Sequence, residues 1–163
     1  MSDKTVGMVG LGIMGGAIAR NLAERGWTVI GFDVDAAKSA ALATDGIHNA
    51  GSVGDVARAA KFVLTSLPSA DAAATVASEI AASGTTQRIV LELSTLALAD
   101  KLRFKDTLEA AGHIALDCPL SGTGAQAQVR DLVVYASGDS AAIARAAPLF
   151  ADFARQSADL GAY

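Results

Sequence analysis

The chain has one cysteine, three prolines and two histidines, and it has no run of about 18 uninterrupted apolar residues, the length that crosses a membrane. Each shortage removes a class of protein. With Cys118 as the only thiol no internal disulfide forms, which suits a reducing cytoplasm, and the residue reads as a small buried apolar group. Hydrophobic residues make up 52% of the chain, but alanine carries much of that count, so a soluble protein without a membrane partner is expected. Met1-Ser2-Asp3-Lys4 leads straight into an apolar segment without the basic start, apolar run and cleavage site of an export signal.

Positive charge is also thin. Thirteen Lys and Arg stand against seventeen Asp and Glu, a formal net charge of −4, and only Lys101-Leu102-Arg103-Phe104-Lys105 gathers basic residues together. Phosphate backbones need a concentrated basic face, so nucleic acid is not an expected partner. With Asp100, Asp106 and Glu109 nearby, the cluster reads as a solvated helix face. No His, Cys and carboxylate grouping has ligand-like spacing, so no metal is expected.

What is present is a strict alternation. Apolar strand-like runs at 5–9, 28–33, 62–67, 88–93, 114–117 and 132–136, with a weaker one near His48, are separated by alanine-rich helical stretches at 14–25, 36–43, 53–60, 70–82, 99–111 and 140–153. That pattern implies βαβ units and a parallel sheet. Asp35, Ser52, Ser69 and Asp139 stand where helix N-caps are needed, and Gly26, Gly46, Gly84 and Gly112 where helices stop. Pro148 is expected to kink or restart the last helix. A chain of 163 residues with no linker and no other internal repeat reads as one domain.

The most informative segment is Val6-Gly7-Met8-Val9-Gly10-Leu11-Gly12-Ile13-Met14-Gly15, which ends a strand, opens a helix and spells G-x-G-x-x-G. Gly10 permits the tight turn, Gly12 lets the backbone approach a pyrophosphate, and Gly15 lets helix and strand pack closely. Unpaired N–H groups and the positive helix end then meet the phosphate charge. The next strand ends on Asp33, whose carboxylate accepts ribose hydroxyls and repels a 2′-phosphate; with no arginine beside it, NAD is preferred to NADP. The fold class is therefore α/β, a Rossmann-type doubly wound, mostly parallel sheet with helices on both faces, and residues 1–163 form a dinucleotide-binding domain. The plainer alternative is a bare strand–helix turn, with Asp33 capping the next helix.

Gly10-Leu11-Gly12-Ile13-Met14-Gly15 followed by Ala19-Arg20-Asn21-Leu22 resembles the G-L-G-x-M-G…A-x-N-L signature of the β-hydroxyacid dehydrogenase family. Leu67-Pro68 resembles its loop beside the dinucleotide, Ser94-Thr95 its loop near the nicotinamide, and Asp117-Cys118-Pro119-Leu120-Ser121-Gly122 its substrate-binding segment. The resemblance runs the length of the chain and corresponds to the family's amino-terminal domain. It implies cofactor contacts from Gly10, Leu11, Gly12, Ile13, Met14, Gly15, Asp33, Leu67, Pro68, Ser94 and Thr95, and substrate contacts from Ser121, Gly122 and Thr123. Thr123 and Arg130 stand where the family usually has glycine, Glu92 where it has Asp, and Leu98 where it has Pro.

The resemblance further implies a small 3-hydroxy acid substrate, such as 3-hydroxyisobutyrate, and hydride exchange with the nicotinamide. A helical carboxy-terminal domain would carry the lysine that serves as general acid/base and would mediate any homo-oligomer. None of the 163 residues carries that lysine's motif, so no catalytic residue is expected in this chain and little turnover from it alone. His48 and His113 lie in no recognisable catalytic motif, and Ser121 lacks a nucleophile elbow. A polar, flexible Ser121-Gly122-Thr123-Gly124 loop is equally an ordinary turn when read from its residues alone. Two other classes share the fold: a noncatalytic NAD(H)-binding redox sensor and an S-adenosylmethionine methyltransferase.

Overall fold

The apolar runs and alanine-rich helices assemble into two sheets in the computed structural model, which describes residues 4–163; Met1-Ser2-Asp3, read above as leading directly into the first strand, lie outside the described residues. In chain order the elements are β1 (Thr5–Val9), α1 (Ile13–Glu24), β2 (Thr28–Phe32), α2 (Ala36–Ala43), β3 (His48–Asn49), α3 (Val53–Ala59), β4 (Phe62–Thr65) and α4 (Ala70–Ala81). There follow β5 (Ile89–Glu92), α5 (Leu98–Ala110), β6 (Ile114–Asp117), β7 (Leu120–Ser121), α6 (Gly124–Gln128), β8 (Val133–Ala136), α7 (Ser140–Phe153) and β9 (Gln156–Asp159). Six strands form an all-parallel sheet in the order β3-β2-β1-β4-β5-β6. Both its faces are covered, which is why β4 and β5 are apolar almost throughout rather than alternating.

One core lies between the sheet and α1, α2, α6 and α7, through Ile18, Leu22, Leu42, Phe150 and Phe153; the other lies under α3, α4 and α5, through Val56, Ile80, Phe104 and Leu108. Burial of each such side chain stabilises the fold by about 1.5–3 kcal/mol. A smaller sheet, β7-β8-β9, pairs antiparallel at β7–β8 and parallel at β8–β9. A single bridge between Asp117 and Ser137 joins it to the end of β6.

The helix punctuation follows the sequence. Asp35, Ser52, Ser69 and Asp139 each accept a backbone N–H from the first turn of their helix, as N-caps do. Pro148 departs from expectation, for α7 runs unbroken through it. Pro148 and Ala144, whose carbonyl loses its usual donor, both lie on the exposed side of α7, where water can replace the missing bond. The Ser121-Gly122-Thr123-Gly124 stretch is also more ordered than a flexible loop. Ser121 pairs with Val133, and Thr123 caps α6 in a reciprocal capping box with Gln126. Arg130 adopts φ +60°, a left-handed conformation that explains why glycine is usual in the family at this position.

At the opposite end of the sheet from the glycine loop, His113 is 3% exposed; its Nδ1 accepts the Arg88 N–H at 3.2 Å, and its Nε2 has no hydrogen-bond partner. Burial first, and the Arg88 charge second, hold its pKa below the usual 6.5. The unfolded chain therefore binds this proton more readily. Stability from this site is intact above about pH 6.5 and declines as the pH falls from there toward the depressed folded value. Urea titrations at stepped pH are expected to show a flatter acid limb for His113→Asn than for the unmodified chain; identical limbs would exclude His113 as the cause.

Candidate functional site

The order of the large sheet reverses between β1 and β4, and there the carboxyl ends of the strands open a crevice, the usual ligand position in open α/β sheets. Gly10 turns the chain into it with φ +90°, and a side chain at Gly10 would collide with the Ser66 carbonyl. A Cβ on Gly15 would run into the Gly10 carbonyl, so helix and turn touch backbone to backbone. Gly12 differs, because a Cβ there meets nothing within 4 Å. Its neighbourhood is open space at the mouth of α1.

That helix, like α5, starts without a side-chain cap, whereas α2, α3, α4, α6 and α7 all have one. The first N–H groups of a 12-residue helix are thus left to an external acceptor, and the helix dipole favours an anionic one. Asp33 closes the other side. Its Oδ2 accepts the Leu11 N–H at 2.7 Å and its Oδ1 the Asp35 N–H at 2.8 Å. The carboxylate therefore latches the glycine loop to β2 and retains a second lone pair on each oxygen for hydroxyl donors. Asp35, not Asp33, caps α2.

These groups border a cleft of about 600 Å³. Of the residues expected to hold cofactor, Gly10, Gly12, Ile13, Met14, Asp33, Leu67 and Pro68 line it. Leu11 and Gly15 do not; both are buried behind the loop, where they set its shape. Ser94 is 8% exposed and acts from below, its Oγ accepting the Leu67 N–H at 2.8 Å, while Thr95 is exposed. Sequence reasoning missed Lys38, which lines the cleft beside Asp33 and Val34. Its signal was that α2 starts three residues after Asp33, the carboxylate that follows β2, so the first turn of α2 must flank the same site.

Ser121, Gly122 and Thr123 are exposed and lie outside the cleft lining, yet they are fixed relative to it. The α6 segment they lead into rests on α1 at two points. Gly124 abuts Ile13, and the buried Asn21 donates from Nδ2 to the Ala127 carbonyl at 2.7 Å. Asn21, noticed in the sequence only as part of a signature, thus ties the helix of the glycine loop to the Ser121–Thr123 segment.

The largest correction concerns Lys101. It is not on a solvated face but 4% exposed, paired with the fully buried Glu92 and with Asp117 at 2.7 Å. Glu92 Oε1 also accepts the Ser94 N–H at 3.1 Å. Lys101, Phe104 and Leu108 share the i, i+3, i+7 stripe that α5 buries, a periodicity that marks Lys101 as inward-facing despite its charge. The ends of β5 and β6 each supply an acid for it.

Other reactive groups are disarmed. Cys118 is fully buried, and burial first and the Asp117 charge second push its thiol pKa up, so it stays protonated. His48 is exposed on an edge strand and His113 lies at the far edge of the sheet; neither borders the cleft. Among the described residues, no group of three or more His, Cys, Asp or Glu side chains is arranged to hold a metal ion, and no helix is long and apolar enough to cross a membrane.

Residues 5–161 match the family model described as the NAD binding domain of 6-phosphogluconate dehydrogenase. A probable 3-hydroxyisobutyrate dehydrogenase of Mycobacterium tuberculosis is 27% identical over 158 residues, covering 97% of this chain and 54% of the relative. The solved structure of Mycobacterium tuberculosis 3-hydroxyisobutyrate dehydrogenase with L-serine superposes with a TM-score of 0.93 at 26% identity, over 97% of this chain and 54% of that one. Psf3, solved in complex with NADP+ and 2-OPP, superposes with a TM-score of 0.89 at 26% identity, over 96% and 56%. The chain thus spans about half the length of the curated relatives it matches.

Proposed function

The chain belongs to the family of the NAD binding domain of 6-phosphogluconate dehydrogenase, and from that premise we propose that it holds NAD for an oxidoreductase acting on a small 3-hydroxy acid. The observation that carries the reading is Asp33, which lines the cleft while latching the glycine loop through the Leu11 N–H. Ribose hydroxyls donate to its free lone pairs, and the pyrophosphate takes the uncapped N–H groups of α1 over the open space at Gly12. When bound, the nicotinamide exchanges a hydride with the hydroxyl-bearing carbon.

The chain's own residues bind and orient. Leu67 and Pro68 form the wall beside the dinucleotide, and Ser94, followed in the chain by the exposed Thr95, holds that wall in place. The Ser121 and Thr123 hydroxyls and the Gly122 N–H hold the substrate carboxylate, at a position α6 sets against α1. By family resemblance the proton is moved by a lysine outside residues 1–163, in a helical domain that would also pair copies of the protein. The relative solved with L-serine, itself a small 3-hydroxy acid, agrees with the substrate class. The single buried thiol suits a cytoplasmic setting. The names of the relatives are those of oxidoreductases and leave the redox-sensor and methyltransferase readings without support.

Cofactor choice is the direct test. Asp33 repels a 2′-phosphate while Lys38, in the same cleft, attracts one; Asp33 also offers ribose its lone pairs, so NAD+ is expected to bind at least about tenfold more tightly than NADP+. Asp33→Asn keeps an acceptor for the Leu11 N–H but removes the charge, and is expected to narrow the ratio to about threefold or less. Calorimetric titration of both cofactors decides it, and equal or tighter NADP+ binding by the unmodified chain would sink the assignment.

A further inference from the structure

The Lys101 cluster carries more acid than base. One ammonium sits between two carboxylates, Glu92 and Asp117, at the carboxyl ends of neighbouring strands β5 and β6. Glu92 is fully buried, so water screens it little. It is also close to the cleft. Glu92 Oε1 accepts the Ser94 N–H at 3.1 Å, and Ser94 Oγ accepts the N–H of Leu67 at 2.8 Å, so two hydrogen bonds separate the carboxylate from a cleft-lining residue.

The cleft has a direction. Its adenosine end is marked by Asp33 at the end of β2 and its pyrophosphate position by the glycine loop after β1. A dinucleotide crossing the switch point therefore places its second nucleoside on the β4–β5 side, toward Ser94 and the cluster beneath. An oxidised nicotinamide ring carries a positive charge that the reduced ring lacks. The uncompensated carboxylate thus interacts differently with the two forms.

We propose that the Lys101–Glu92–Asp117 cluster is an electrostatic bias for the oxidised cofactor, its one excess carboxylate favouring NAD+ over NADH in the cleft. The inference rests on the dinucleotide reading given above. A unit charge acting over about 10 Å at an effective dielectric of about 20–40 changes an affinity ratio by roughly four- to fifteen-fold.

Glu92→Gln removes the excess charge while leaving an amide oxygen for the Ser94 and Thr65 donors. Asp117→Asn does the same from a site whose side chain is 25% exposed and makes no bond to Ser94, so it tests the charge if the buried variant fails to fold. The measurement is the ratio of the dissociation constants for NAD+ and NADH, by calorimetry on the 163-residue chain. Each variant is expected to shift that ratio toward NADH by about four-fold or more. A purely structural role would weaken both forms together and leave the ratio in place. A ratio within two-fold of the unmodified chain's in a variant that still binds both forms overturns the proposal. Failure of the unmodified chain to bind either form would overturn the dinucleotide reading itself and this proposal with it.

Discussion

Gly12→Val is expected to abolish NAD+ binding, lowering affinity by at least about 100-fold, while leaving the circular dichroism spectrum and urea midpoint close to those of the unmodified chain. The two halves of that result have separate causes. A Cβ at Gly12 meets nothing within 4 Å, so valine has room in the protein. The room it fills is the approach to the uncapped N–H groups of α1, where a pyrophosphate needs backbone contact. Gly15→Ala makes the contrast, since its methyl group collides with the Gly10 carbonyl and must displace the turn itself. Binding by Gly12→Val at the unmodified affinity would remove the phosphate site from this loop.

Lys101→Met is expected to be the most destabilising charge removal in the chain, by about 3–5 kcal/mol, measured by urea denaturation. Glu92 would be left buried facing Asp117 with no cation between them, and an unpaired buried charge costs far more than the pair contributes. Asp117 is a quarter exposed and recovers some hydration, which favours the lower end of the range. Adding Glu92→Gln and Asp117→Asn to Lys101→Met is expected to restore about half or more of the loss, because the repulsion then disappears. A single variant within about 1 kcal/mol of the unmodified chain would mean that the cluster is not the buried network described.

Local chemistry was what the sequence made legible. Four N-caps and the glycine turn are readable because each satisfies a backbone requirement within three or four residues of itself. The elements that escaped notice need partners far along the chain. Gln156–Asp159 is polar and does not alternate, and becomes β9 only because β8 offers it an edge; Leu120–Ser121 is too short to show a period. The same divide runs through the site. Gly10, Gly12 and Asp33 announce themselves by spacing, whereas Lys101 looks solvated until Glu92 and Asp117, nine and sixteen residues away, are folded against it. Ser94 was recognised by its motif, but its work of holding Leu67 across 27 residues has no sequence signature.

The all-parallel order of the large sheet also has a kinetic meaning. Parallel neighbours cannot be joined by tight hairpins, so each strand pair must close a long loop before its contacts repay the lost entropy. During synthesis β1, α1 and β2 emerge first, carrying the glycine loop and Asp33, but β1 waits for β4 before its second edge is covered. The Asn21–Ala127 bond spans 106 residues and is therefore among the last to form. A ribosome-bound chain interrupted before Ala127 would carry most of the phosphate loop's surroundings while the α6 clip was still missing, and a pulse-labelling experiment would find α1 gaining its final protection only after that point.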